Sequence, residues 1–266
     1  MRLKKVLAAF AAAVTAASAV SVTAFAAGTK VPIDEKYFPD EFFREYVSQF
    51  DTDGNGSLSD GERDAVSVID VGFPDDDKII RSLAGVGYFR NLEQLRCEGN
   101  ELTKLNVSKN TDLKELYCDG NMLESLNVSK NTKLEILSCG GNKIQKLYVQ
   151  KNTELKKLYC NMCELTTLNV SKNTKLTNLY CNKNNLKKLN LKNNTELVEV
   201  YCFGNMLESL DVSGCKKLKS LNCADNKLTE LDISGCPKLA RLYCGTNEFD
   251  KGDIDISGNP KLNDIR

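Results

Sequence analysis

Apolar and polar positions alternate with a fixed long period between Leu92 and Lys261. The second unit is typical: Leu113, Leu116, Cys118, Asn121, Leu123, Leu126 and Val128, closing with Ser129-Lys130-Asn131-Thr132. Shifting the frame by 21 residues returns the same residue types, eight times over. The cysteine of each unit makes a column: Cys97, Cys118, Cys139, Cys160, Cys181, Cys202, Cys223 and Cys244. A unit this short cannot close a core alone. It buries its apolar edge against the next copy, so the period predicts a solenoid.

Each unit has two halves, Leu-x-x-Leu-x-Cys-x-x-Asn and Leu-x-x-Leu-x-Val-x-x-Asn. In the first half Leu and Cys alternate with polar or aromatic residues, the period of two expected of a strand with one buried face. The second half carries the pattern more briefly and predicts short extended or 3₁₀ segments, with no room for a long helix. Asn100, Asn121, Asn142, Asn184, Asn205, Asn226 and Asn247 mark the turns, where a buried amide can satisfy backbone groups of its own turn and the next. Cys163 interrupts that ladder and predicts a local weak point. Two extra residues near Asp250 to Gly252 predict a small bulge, and Leu262 and Ile265 open a further copy.

The residue between the second Leu and the Cys faces away from the core. Its row reads Arg96, Tyr117, Ser138, Tyr159, Tyr180, Tyr201, Asn222 and Tyr243, with Phe203 two positions beyond Tyr201. Tyrosine brings stiff contact area and a hydroxyl to recognition surfaces, and it also has high strand propensity. Tyr117, Tyr159, Tyr180, Tyr201, Phe203 and Tyr243 are the candidate ligand-binding residues.

Ahead of the repeats stands Asp51-Thr52-Asp53-Gly54-Asn55-Gly56-Ser57-Leu58-Ser59-Asp60-Gly61-Glu62. Hard Ca²⁺ wants six to eight oxygens. Asp51, Asp53 and Asn55 can give side-chain oxygens, Ser57 its carbonyl, Ser59 a direct or water-bridged contact, and Glu62 both carboxylate oxygens. Phe42, Phe43, Tyr46, Val47 and Phe50 precede the loop as an apolar helical stripe, with Pro39, Asp40 and Glu41 at the helix start. Ala65, Val66 and Ile69 follow it. The spacing resembles an EF-hand at every liganding position and implies one Ca²⁺ site. No second loop matches: Asp75-Asp76-Asp77 lacks the spacing, and so does Asp250 to Asp255. A solenoid needs a lid over its first turn, and this module, ending in Val68-Ile69-Asp70-Val71, would serve as one.

Composition then narrows the class. The chain of 266 residues is 41% hydrophobic and 27% charged, with formal net charge zero. Residues 28–80 hold 14 acidic and 5 basic side chains, while 81–266 hold 22 and 28. The basic excess is spread over Ser-Lys-Asn-Thr turns around the coil, which argues against a nucleic-acid partner. Arg2, Lys4 and Lys5 followed by an uncharged Ala/Val-rich run to Ala27, with Ala24-Phe25-Ala26, predict a cleaved secretory leader over 1–27, a secreted product and no stable membrane insertion. Eleven cysteines in an exported chain suggest disulfides, yet eight occupy one inward position and read as small hydrophobes. Cys160 and Cys163 form a chance C-x-x-C, and Cys215 and Cys236 should stack one strand spacing apart, within disulfide reach. With no His and no Trp, Ser-His-Asp and Cys-His sites are excluded, no phosphate-binding loop occurs, and no enzyme is expected.

The repeat resembles the leucine-rich repeat family, specifically the bacterial class with a nested 21-residue consensus of Leu-x-x-Leu-x-Cys-x-x-Asn-x-Leu-x-x-Leu-Asp-Leu. Asp211-Val212 and Asp232-Ile233 follow its Asp-Leu element, and Asn106, Asn127, Asn169 and Asn190 depart from it mildly. The resemblance spans roughly 80–266. It implies a mostly β, α/β-class solenoid, curved and right-handed with a parallel sheet on the concave side, preceded here by a small helical EF-hand-like cap over 28–79. It also implies binding of an extracellular protein or glycan, as in internalin-like surface proteins. The calcium loop suggests a second reading, a dockerin-like docking module of an extracellular complex.

Overall fold

The computed structural model describes residues 29–249, apart from 76, and 254–266. The leader predicted over 1–27 and the bulge near 250–252 lie outside the described residues.

Strand β1 (Val31–Pro32) is followed by helix α1 (Glu41–Ser48), β2 (Ser57–Leu58), the short helix α2 (Asp60–Asp64) and β3 (Val68–Asp70), with a 3₁₀ turn at Val86–Tyr88. The repeats then contribute β4 (Gln94–Arg96), β5 (Glu115–Tyr117), β6 (Ile136–Ser138), β7 (Lys157–Tyr159), β8 (Asn178–Tyr180), β9 (Lys188–Asn190), β10 (Glu199–Tyr201), β11 (Ser209–Asp211), β12 (Ser220–Asn222), β13 (Arg241–Tyr243) and β14 (Asp264–Ile265). One strand per turn, from β3 to β14 and skipping β9 and β11, joins a ten-stranded sheet, parallel at every pairing. Residues 21 apart in sequence stand side by side within it, as Leu95 beside Leu116 and Leu116 beside Leu137. The opposite wall is short: β9 pairs with β11, and Lys146 bridges Thr167.

The middle residue of each main strand points inward, and its flanking residues point out. Leu95, Leu116, Leu137, Leu158, Leu179, Val200, Leu221 and Leu242 are fully buried, as is every column cysteine except Cys244, which is 8% exposed. Parallel stacking repeats this layer every strand, so a thin coil acquires one continuous core.

Backbone groups at the turns are satisfied by the asparagines. Asn121 Nδ2 donates to the carbonyls of Cys97 and Cys118 at 2.9 and 3.1 Å, while its Oδ1 accepts from Leu102 N–H at 2.9 Å. Asn142, Asn184, Asn205, Asn226 and Asn247 make the corresponding bonds. At Cys163 the thiol donates to Cys139 O at 3.1 Å, but sulfur supplies no comparable acceptor for Ile144 N–H. All eleven cysteines are buried free thiols. Cys215 and Cys236 are therefore not bridged; each thiol instead lies near a carbonyl one turn back, Leu191 O at 3.6 Å and Val212 O at 3.4 Å.

The sheet begins ahead of residue 80. β3 pairs with β4, placing Ile69 beside Leu95 and Asp70 beside Arg96. Asn100 Nδ2 donates to Val71 O, and its Oδ1 accepts from Ile80 N–H, both at 2.9 Å. Residues from Val66 to Phe89 thus form a degenerate first turn, and the helical segment packs on it through Phe38, Phe43 and Phe89.

Candidate functional site

Two places in the molecule gather the residues that the sequence singles out. The first is the outer face of the ten-stranded sheet. Strand register sets Asp70, Arg96, Tyr117, Ser138, Tyr159, Tyr180, Tyr201, Asn222 and Tyr243 in one row, each beside the next. Tyr159 and Tyr180 meet edge to face at 5.0 Å and 84°, and Tyr180 and Tyr201 at 4.6 Å and 48°. The five tyrosines and Phe203 are all half-buried. Phe203 stands two positions past Tyr201 on the same side of the coil, as alternation requires.

Arginine stacks on the first and last tyrosines of the row, a contact that the tyrosine pattern alone did not reveal. Arg96 Cζ lies 4.7 Å from the Tyr117 ring centroid, and Arg266 Cζ lies 5.6 Å from that of Tyr243. A guanidinium over a ring face is attracted by the ring quadrupole. Carboxylates flank the row. Tyr117 donates to Glu115 at 3.1 Å, Tyr180 to Glu199 at 2.9 Å and Tyr243 to Asp264 at 2.6 Å. Burial, then Glu115, pushes the Tyr117 hydroxyl up to about 12. Burial and Glu199 likewise raise Tyr180. The signal for these acids was present in the sequence: they occupy the same outward set, two positions from a row residue.

The second place is the loop before the coil. Asp40 caps α1 by accepting from Phe43 N–H at 3.1 Å. The chain then wraps around Asp51, whose Oδ2 accepts from Gly56 N–H at 2.8 Å and whose Oδ1 accepts from Asn55 N–H at 3.2 Å. Asp53 Oδ1 accepts from Asn55 N–H at 3.1 Å, and the Asn55 side-chain amide donates to the same oxygen. Gly56 has φ +77°, the left-handed turn the loop demands at its sixth position. Ser59 caps α2 in a reciprocal box with Glu62. Glu62 Oε2 accepts from Ser59 N–H at 2.8 Å and Oε1 from Thr52 N–H at 2.7 Å. Those donors, Ser59 N–H foremost, hold the Glu62 carboxyl down at about 2. Asp51, Asp53 and Glu62 each offer an oxygen within 4.8 Å of the others, a spacing that fits a hard cation. Asn55, Ser57 and Ser59 lie along the same loop. Ser57 is in β2, whose edge pairs antiparallel with β1, and Ile33 N–H donates to Gly56 O at 3.0 Å. A local strand thus occupies the edge where a second loop would pair.

No protein-family model matches the sequence, and a search of curated proteins finds no match. Solved structures do match. A functional domain of InlJ from Listeria monocytogenes, described as including a cysteine ladder, is 30% identical over 90% of this chain with a TM-score of 0.75. This chain spans 57% of that domain's length. Internalin C2 of the same organism matches 92% of this chain and 97% of its own at 18% identity and TM-score 0.68. A leucine-rich repeat protein of Leptospira interrogans matches 78% of this chain and 62% of its own at 21% and 0.61. The fold is a leucine-rich repeat solenoid of internalin type. Among the described residues no helix is long and apolar enough to cross a membrane.

Proposed function

We propose that this chain is a secreted, non-enzymatic binding protein that captures a protein or glycan ligand on the concave face of its solenoid. The observation that carries the reading is the in-register row of Tyr117, Tyr159, Tyr180, Tyr201 and Tyr243 with Phe203 beside it. Tyrosine on a rigid sheet gives contact area at small entropic loss, because the backbone and most of each ring are fixed before the ligand arrives. The solenoid fold shared with internalins supports a binding role, and the leader-like start of the chain supports export. The loop from Asp51 to Glu62 would hold one structural Ca²⁺ that stiffens the N-terminal cap.

The test is a protein and glycan array probed with the mature chain. Replacing Tyr159, Tyr180 and Tyr201 by Ala should abolish capture while the far-UV spectrum is unchanged. Ala at the outward Lys130, Lys151 and Lys172 should leave capture intact. Equal losses from both sets would reject the concave face as the binding surface.

A further inference from the structure

The tyrosine row is interrupted at Ser138 and at Asn222, and the smaller side chain, Ser138, leaves a gap one residue wide. Tyr117 and Tyr159 stand on either side of Ser138, whose small side chain is 8% exposed at the floor between them. At a strand spacing of about 4.8 Å, the two flanking strands are about 9.6 Å apart. A flat group held midway would lie about 4.8 Å from each ring, close to the 4.7 Å at which Arg96 already stacks on Tyr117. The far sides of both rings are engaged, Tyr117 by Arg96 and Tyr159 by Tyr180. Their near sides flank the gap.

The outward charge on the Tyr117 side of this gap is mostly negative, while Lys157 stands on the Tyr159 side. Asp119 sits two positions past Tyr117, and its Oδ1 accepts from Ser138 Oγ at 2.8 Å and from Gly140 N–H at 2.9 Å. On this half of the face the outward positions carry Asp70, Glu98, Glu115 and Asp119 against Arg96 alone. Arg96 bonds Glu98 at 2.7 Å and lies 3.8 Å from Asp70, so Asp119 has no ion-pair partner among the described residues. Glu98 is 3% exposed, and its Oε2 has no hydrogen-bond partner. Burial raises the carboxyls of both Glu98 and Asp119, because removal from water disfavours the charged form. Beyond the gap the balance reverses, with Lys157, Arg241 and Arg266 against Glu199 and Asp264.

We propose that the gap over Ser138 is a slot for an arginine side chain of a protein partner, its guanidinium stacked between Tyr117 and Tyr159 and paired with Asp119. This rests on the concave-face reading and narrows its partner to a protein that presents a guanidinium. Arginine fits better than lysine because a planar group can face two rings at once. A neutral sugar would fill the space but would leave the Asp119 charge unanswered.

The test is an NMR titration of the whole chain with acetyl-Gly-Arg-Gly-amide, through the millimolar range proper to a single side chain. The same peptide with citrulline, a neutral near-isostere, is the control. Saturable shifts at Ser138, Gly140 and the Tyr117 and Tyr159 rings are expected with arginine and not with citrulline. Asp119→Asn keeps the acceptor for Ser138 and Gly140, removes the charge, and should weaken binding at least tenfold. Ser138→Tyr fills the gap with the residue this row carries five times, and should abolish the shifts with the fold intact. Equal responses to both peptides, no response to either, or a chito-oligosaccharide moving the same resonances in place of the arginine peptide would overturn the slot. An array ligand lost on replacing Tyr180 and Tyr201 but retained by Ser138→Tyr would overturn the slot and leave the concave-face function standing.

Discussion

Lys133 Nζ lies 2.7 Å from Asp112 Oδ1, one full turn of the coil earlier. The same pairing repeats along the outer surface: Glu93 with Lys114, Glu135 with Lys156, Glu154 with Lys175, and Glu196 with Lys217. Acid and base alternate from turn to turn over Glu93 to Lys156 in one column and over Asp112 to Lys217 in the other, so across those turns the charges carry a period of 42 laid over the structural period of 21. Stacking identical turns would set like charges side by side at strand spacing; the doubled period sets opposite ones there instead.

These pairs are half exposed, so each contributes little by itself. A double-mutant cycle on Asp112 and Lys133 should return about 0–1 kcal/mol, shrinking with added salt. Lys133→Glu should cost more than Lys133→Ala, because it places three acids in consecutive turns with Asp112 and Glu154. Thermal melts at low and high ionic strength check both points. Indifference to salt would show that the ladder has no energetic role.

The asparagine ladder should matter more. Asn142 bonds Leu123 N–H, Cys118 O and Cys139 O, and Asn142→Ala would orphan buried backbone groups at about 1–3 kcal/mol each. The reverse change is informative. Cys163→Asn restores an acceptor at the position of Ile144 N–H, and should stabilise the coil by about 1 kcal/mol. Urea unfolding of the two variants measures both. A destabilising Cys163→Asn would mean that the local packing has adapted to sulfur.

How much of this was legible in sequence follows from what each period encodes. Leu116 and Cys118 alternate as a strand must, and their recurrence with Leu113 every 21 residues pointed to coil, sheet and core position directly. Asn121 and its counterparts announced the turns because few side chains can bond three backbone groups at once. The first turn was harder. Between Val71 and Ile80 the chain carries extra residues, so the period fails there, and only the pairing of Ile69 with Leu95 reveals a strand. The tyrosine row was readable for the same reason as the core, but its contact with Arg96 and Arg266 was not, since stacking depends on where a long side chain lies and not on spacing. In the loop, ligand types and spacing were clear. The partner of β2 was not, because a two-residue strand at Val31–Pro32 has no pattern to detect.

The thiols should be nearly inert in the native state. Burial raises the column cysteines, Cys181 to about 12, so neither access nor thiolate is available at neutral pH. Ellman titration of folded protein should label few groups, Cys244 first because it alone is measurably exposed. Full labelling should require denaturant. Rapid native labelling of eight or more would contradict the buried column.

Acid should loosen the cap before the coil. Glu62 titrates near 2 in the folded chain, against an ordinary 4.5. Folding therefore favours its carboxylate. That contribution is complete above pH 4.5 and is lost as pH falls from there toward 2. The group is only half-buried, so the effect is small and local. Amide exchange at Thr52 and Ser59, the donors to Glu62, should accelerate over that window while Leu116 and Leu137 stay protected. Glu62→Gln, neutral throughout, should remove the pH dependence, and an unchanged acid profile in that variant would assign it to another carboxylate.

The calcium proposal can be separated from the capping role of the same side chain. Glu62 both closes the box with Ser59 and would give Ca²⁺ two oxygens, so Glu62→Ala removes both functions at once. Glu62→Gln keeps a side chain that can close the box and loses the bidentate charged contact that no other residue of the loop can supply. Calorimetry should therefore show Ca²⁺ binding in the wild type and none in Glu62→Gln or Asp51→Ala. With three carboxylates and no second loop, the dissociation constant should fall near the weak extracellular range of about 10⁻⁴–10⁻³ M. Calcium at ten times that constant should stabilise the wild type by about 1.4 kcal/mol, because the ion binds the folded loop and not the unfolded one. The cap covers the first turn, so its stiffening should slow exchange near Leu92 and Leu95 more than near Leu242. A wild type that neither binds at 10 mM, about ten times the weak end of that range, nor shifts its melting temperature would leave Asp51 to Glu62 as an acidic turn closed by its own hydrogen bonds.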